Sequence, residues 1–444
     1  MKLTIYHTND IHSNYDRLAG IAAYLKAHRQ PEDFYFDCGD LCDLKNLMVQ
    51  GTKGLGAVRL LQAMNADAIV VGNNEIDLEH DNLTACASVG LPLLSCNLTD
   101  NDGNPVEAVI PSMVVERRGL RILLIGASPY YGEDGRPGAY NVFYAMGNLI
   151  TSDPYPAIEK ELKKWNGAYD FCILLSHGGM DTELDLLNRF PEINLCIGGH
   201  SHSLCSRDQY NQAGRWGTHL GKITLTIENQ KVTRIEPALI ENRFDPDPEI
   251  LRCLQEQTAV ADKFLSRTLY EVEELSWSVT EENQLTNFIA DALFTEYPCD
   301  LAFINSGIVE GSIAGSISRK KLLALSPSKL NPTRFPLSGA VLREAIRCSM
   351  DADFVRQDGH GPGVRGSVLG TLGFSHNVRI LRSPLTVWVD GAPLQDDQIY
   401  DCMADDSLQR GTGYTMLKTP DEKSQFYEFY NKCWGQAMSL APKS

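Results

Sequence analysis

The sequence predicts an α/β protein built in two units, and three observations carry that reading. Short β-rich runs alternate with amphipathic helical stretches up to about residue 240, the signature of a layered α/β domain. A proline-punctuated stretch, "DPDPEILRCLQEQTAVADKFLSRTL" from Asp245, then leads into one long helical pattern. Near Ser276 a second alternation of helix and strand begins. A chain of 444 residues is too long for one average core. We expect a first domain over 1–244, a joining helix over 245–275 and a second domain over 276–444.

In order along the first domain, "KLTIYHT", "DFYFDCG", "DAIVVGN", "RILLIGAS", "DFCILLSHG" and "INLCIGGH" read as strands. Each is a short apolar run that stops at glycine or polar residues. Between them "DRLAGIAAYLKAHR", "GAVRLLQAMN" and "YPAIEKELKKWN" space their apolar residues as helices do. "WGTHLGKITLTIENQKVTRIEPALI" alternates like a hairpin and closes the domain. In the second domain a helix, "ENQLTNFIADALFTEY", precedes a strand in "CDLAFINSG". A further helix, "GAVLREAIRCSM", precedes the glycine-rich "GHGPGVRGSVLGTLGF".

The formal net charge of −17 argues against a surface that binds nucleic acid or anionic lipid. An anionic substrate would then need local positive charge, and bound metal ions are the obvious source. No apolar run approaches the ~18 residues of a membrane span. The opening "MKLTIYHTNDIHS" reads as strand and motif rather than a leader, and the twelve cysteines are scattered with no Cys-x-x-Cys pair. A cytoplasmic chain with reduced cysteines is the expectation.

Five polar clusters end the predicted strands: Asp10-Ile11-His12, Asp37-Cys38-Gly39-Asp40, Gly72-Asn73-Asn74-Glu75, Ser176-His177-Gly178-Gly179 and Gly198-Gly199-His200-Ser201-His202. In α/β sheets that edge is where ligands bind. Aspartate, histidine and asparagine donors suit divalent Zn, Mn or Fe. Asp10 and His12 are two apart, as are His200 and His202, so on an extended strand end each pair would point to one side. A sharp turn at "DCG" could aim Asp40 between two ions. Two ions about 3.5–4 Å apart could activate a water and clamp a phosphoryl group.

These clusters closely resemble those of the calcineurin-like metallophosphoesterases, in the 5′-nucleotidase branch that carries an extra carboxy-terminal domain. The resemblance implies a four-layer α/β/β/α sandwich followed by a mixed α/β domain that recognises substrate. It assigns Asp10, His12, Asp40 and His202 to one metal, and Asp40, Asn73, His177 and His200 to the other, with Asp40 bridging. It implies a phosphate-ester hydrolase in which a metal-activated hydroxide attacks phosphorus. The substrate would be a small phosphorylated molecule, with nucleotides among the candidates.

The chain departs from that pattern at the catalytic pair. Where the family has Gly-Asn-His-Glu this sequence reads "GNNE", so Asn74 stands in place of the catalytic histidine while its partner Asp77 is kept. An amide has no proton to give near neutral pH. Phosphomonoesters with poor leaving groups should suffer most, and His7 or His80 are the candidates to stand in. In the second domain "INSGIVEG" keeps Asn305 and Gly307 of the family's substrate loop but has Glu310 where the arginine would be. "RGTGY" keeps Tyr414, while Ser328 and Asp406 take the places of the base-stacking aromatics. Asn305, Gly307 and Tyr414 are the substrate-binding candidates, and Arg356, His360 and Arg365 could meet an anion. The rivals are a cyclic-nucleotide, anhydride or sulfur-ester hydrolase on the same frame, and a metal-bound sensor without catalysis.

Overall fold

The computed structural model describes residues 1–130, 141–326, 331–359 and 368–427. His360, Arg365 and Ser328 lie outside the described residues. The chain divides into two compact units, Met1–Asp262 and Lys263–Ser444.

The first unit is a four-layer sandwich. Its first sheet orders seven strands as Lys231–Glu241, His219–Glu228, Lys2–Thr8, Phe34–Asp37, Ala68–Val70, Leu93–Leu94 and Val109–Ile110. The last five run parallel, and the hairpin 219–241 is added antiparallel at one edge. The second sheet has six strands, with Leu120–Ala127, Phe171–Ser176 and Leu195–Ile197 parallel at its centre.

Alternation along the strands sorts their side chains between layers. Leu3, Ile5, Phe34, Phe36 and Val70 meet Ile122, Leu124, Ile173 and Leu175 in a core between the sheets. Leu123, Ile125 and Leu174 face the other way, onto Ile158, Leu162 and Leu186 of the helices Pro154–Lys164 and Met180–Arg189. Tyr6, Tyr35 and Ile69 do the same against the helices Tyr15–His28 and Leu55–Ala63. With both faces covered, the central strands read as continuous apolar runs.

Helix Pro248–Leu265 buries Ile250 and Ala261 in this first core. Much of the stretch read as a joint is therefore packed structure. Among the described residues no helix is long and apolar enough to cross a membrane, and the eleven cysteines are free.

His7 shows how closely the sheets approach. It is fully buried, its Nε2 lies 2.9 Å from Asn211 Oδ1, and a Cβ added at Gly221 would sit 1.9 Å from that nitrogen. Burial pushes its pKa down to about 4 from the ordinary 6.5. The unfolded chain then takes up this proton first as pH falls, so stability is lost between pH 6.5 and 4, by about 3 kcal/mol. A His7→Gln variant is expected to flatten the pH dependence of the urea midpoint over that window. An unchanged slope would remove His7 from the acid response.

The second unit is a mixed α/β domain. Its five-stranded sheet runs Leu372–Phe374, Leu301–Asn305, Ile399–Asp405, Pro332–Ser338 and Gln425–Phe426. Helix Gln284–Glu296 packs Leu285, Ile289 and Leu293 on one face against Ala302, Ile304 and Met403. Helix Gly339–Ser349 packs Leu342, Ala345 and Ile346 on the other against Phe303, Phe335 and Cys402.

Candidate metal centre

The five clusters follow the carboxyl ends of five parallel strands of the first unit and meet there. Asp10, His12 and His202 form one group of close donor atoms, and Asp10, Asp40 and His177 form a second. Asp10 Oδ1 stands 3.7 Å from His12 Nε2, 3.4 Å from His202 Nε2 and 3.8 Å from His177 Nε2. Asp40 faces both groups: its Oδ2 lies 3.8 Å from His12 Nε2 and its Oδ1 3.3 Å from His177 Nε2. Asn73 Oδ1 and His200 Nδ1 are 3.1 Å apart, and the His200 ring lies edge-on to that of His177. All seven ligand candidates are thus brought together.

The backbone does this differently from the extended strand ends expected. Asp10, His12, Asp40, His200 and His202 all have φ between 46° and 68°, in the left-handed region. Side chains two apart converge because the chain coils after each strand, a conformation that costs of order 1 kcal/mol per residue and gathers at functional sites. Gly199 is needed for space: a Cβ there would sit 2.6 Å from His177 Nδ1 and 2.7 Å from the Cys38 carbonyl.

The donor set fits a divalent cation. His177 Nδ1 lies 2.6 Å from the Cys38 carbonyl oxygen, which can only accept, so Nδ1 carries a proton and Nε2 is the nitrogen turned to the aspartates. That Nε2 and Asp10 Oδ1 are both buried with no hydrogen-bond partner, a costly arrangement that a cation would resolve. Burial disfavours a charged His177 ring, yet Asp40 and Asp10 outweigh it and push its pKa up to about 10. The field at this point demands positive charge.

Two glutamates that sequence reasoning passed over hold the loops. Glu75 is buried and accepts from the backbone N–H groups of Asp40 (2.8 Å), Cys42 (3.1 Å) and Gly72 (3.1 Å). Glu183 accepts from Gly178, Gly179 and Gly199 and from the Tyr210 hydroxyl at 2.7 Å. Their signal in the sequence is a carboxylate on a helix just after a glycine-bearing loop, which is too common to single out.

Asn74 sits inside the centre. Its backbone N–H donates to Asp40 Oδ1 (2.9 Å), its side-chain amide donates to the Cys42 carbonyl (2.7 Å), and Nδ2 lies 3.1 Å from His12 Nδ1. Asp77 caps the one-turn helix Asn73–Ile76 and is half-buried. Of the two suggested substitutes for the missing histidine, His7 is locked between the sheets, and His80 Nδ1 lies 3.2 Å from Asp81 Oδ1.

The substrate-binding candidates of the second unit all have packing roles, although Asn305 Oδ1 is left without a hydrogen-bond partner. Asn305 is fully buried and spends its amide on the Leu369 carbonyl. A Cβ on Gly307 would lie 2.1 Å from the Val368 carbonyl, so this glycine serves close packing. Tyr414 is wholly buried, donates to the Gly370 carbonyl at 2.8 Å and packs on Phe354. These three fasten the 368–370 segment. Asp406 is buried too and accepts from the Asn331 backbone, while Arg356 is exposed.

Residues 3–204 match the model of the calcineurin-like phosphoesterases, and residues 267–419 that of the 5′-nucleotidase C-terminal domain. The uncharacterized metallophosphoesterase YunD of Bacillus subtilis is 26% identical over 96% of each chain. A 5′-nucleotidase of Diplobatis ommata is 24% identical over 94% of this chain and 84% of its own. Among solved structures, the NAD nucleotidase of Haemophilus influenzae shares the fold with a TM-score of 0.63 at 15% identity, covering 100% of this chain and 97% of the other. Fold and site together define a two-unit metal-dependent phosphoester hydrolase. The chain belongs to the calcineurin-like phosphoesterases that carry a 5′-nucleotidase C-terminal domain.

Proposed function

We propose that this chain hydrolyses a small phosphorylated molecule at a two-metal centre, and that its preferred substrates leave without needing a proton. Asp10, His12, Asp40 and His202 would hold one ion, and Asp40, Asn73, His177 and His200 the other; Mn, Zn and Fe suit these donors. The single observation that carries the reading is Asp40, whose two oxygens face His12 and His177 beside two buried atoms, His177 Nε2 and Asp10 Oδ1, that have no hydrogen-bond partner. When bound, such a pair of ions supplies an activated water and positive charge for the phosphoryl group.

The protein's own residues set the geometry. Glu75 and Glu183 fix the loops, and the Cys38 carbonyl fixes the His177 tautomer. Asn74 gives an amide proton to the Cys42 carbonyl and offers no acid to a leaving oxygen. That favours nucleotide anhydrides, cyclic phosphates or aryl esters over nucleoside monophosphates. The free cysteines support a reducing, cytoplasmic setting.

The Mn²⁺-loaded protein assayed against a dinucleoside anhydride, a cyclic nucleotide, an aryl diester and a nucleoside monophosphate tests this. The first three are expected to exceed the last by at least ~10² in kcat. Turnover of none of them, with metals bound, would sink the hydrolase reading in favour of a sensor.

A further inference from the structure

The candidate centre is open on one side. His177 and Asp10 are wholly enclosed, whereas the His202 side chain is 34% exposed and that of His12 16%. His202 is thus one side chain of the centre that a substrate can meet first.

Two side chains of the loop 214–217 stand at that opening. Arg215 Nη1 is 3.3 Å from His202 Nδ1, and the guanidinium lies over the Trp216 ring, 3.9 Å from its centroid. The Trp216 backbone N–H donates to the Asp10 carbonyl at 2.7 Å, which ties the loop to the centre. Trp216 is a large apolar residue left 43% exposed, at a φ of 60° that a bulky side chain seldom adopts. Neither exposure nor strain is repaid by burial.

We infer that Arg215 and Trp216 form a substrate subsite at the mouth of the centre, which takes a phosphorylated molecule bearing a planar aromatic group, with Arg215 on a phosphoryl oxygen and Trp216 against the ring. This rests on the hydrolase reading above and deepens it: a nucleotide fits both halves. Arginine suits a phosphoryl group because its fork matches the oxygens, and tryptophan offers any base a π face.

The test is binding to the full-length, Zn²⁺-loaded protein, read by calorimetry and by the fluorescence difference between wild type and Trp216→Phe. The probes are a non-hydrolysable nucleoside phosphonate and methylphosphonate, which keeps the anion and lacks the base. Trp216→Ala is expected to weaken the nucleoside phosphonate roughly 5- to 150-fold and leave methylphosphonate unchanged, since base stacking on an aromatic is worth about 1–3 kcal/mol. Arg215→Ala is expected to weaken both by about tenfold or more, with partial rescue by Arg215→Lys. Unchanged affinities in both alanine variants at normal metal content overturn the subsite, as does a wild type that binds neither probe. Turnover of phosphoesters with unaltered KM in the variants also sinks it while sparing the hydrolase reading. Trp216-dependent binding without turnover of any ester would do the reverse.

Discussion

Replacing Asp40 by asparagine is expected to abolish turnover, by on the order of 10³-fold or more, and to halve or empty the metal content. Asp40 is buried and presents one oxygen to each donor group. Its neutral isostere can still accept the Asn74 backbone N–H through Oδ1, so the loop stays in place. It cannot balance two dications, and metal-derived stabilisation of several kcal/mol disappears with them at about 1.4 kcal/mol per tenfold in rate.

Stability should move little in the same variant. Asp40 lowers its energy against His177 but also raises the pKa of the buried Glu75 after burial itself, so its charge is opposed from one side and welcomed from the other. The expected pattern in chelator-treated protein is a Tm within a few degrees of wild type, since each ~1 kcal/mol moves a chain of this size by only about 2–4 °C or less. Elemental analysis, kcat and Tm together separate a lost ligand from a lost fold. Two tightly held metals and near-normal rates would show that Asp40 is not a ligand, while a collapsed Tm would make it a structural residue first.

The layers of the first unit were legible because strands covered on both faces leave unbroken apolar runs, as in "RILLIGAS" and "DFCILLSHG", and because their ends carry ligand-type residues. Short strands such as Leu93–Leu94 and Val109–Ile110 were not, since two residues give no period to read. The ligand types could be read, but the way they converge could not. Asp10 and His12 meet their partners through left-handed backbone, which glycine advertises strongly but aspartate and histidine only weakly. Arg215 and Trp216 escaped notice for a related reason: "GRWG" looks like an ordinary turn, and only its hydrogen bond to the Asp10 carbonyl brings it to the centre. In the second unit the kept residues also carry packing. Asn305, Gly307 and Tyr414 persist because the loop they brace must be braced, whether or not a ligand binds there.

Restoring the histidine is the change with the largest expected gain. In Asn74→His the ring would occupy the place where the amide now reaches the Cys42 carbonyl, beside His12 and within the centre. Asp77 lies three residues on along the same helical turn, the spacing at which side chains share a face. The backbone donor to Asp40 is untouched by the substitution. A proton donor in this place should raise kcat for a nucleoside monophosphate by about 10²–10⁴-fold, because its alkoxide is a poor leaving group. An aryl phosphate, whose phenolate leaves unaided, should gain no more than about threefold, since general acid help adds little there. The ratio of the two gains carries the argument, because better metal loading or tighter binding would raise both alike. A uniform gain would therefore assign the effect to occupancy and not to proton transfer. No gain for either ester, at full metal content, would mean that the pocket around Asn74 is shaped for a substrate whose leaving group never needed the acid, and the anhydride and cyclic-ester arms of the substrate panel would then have to carry the activity alone.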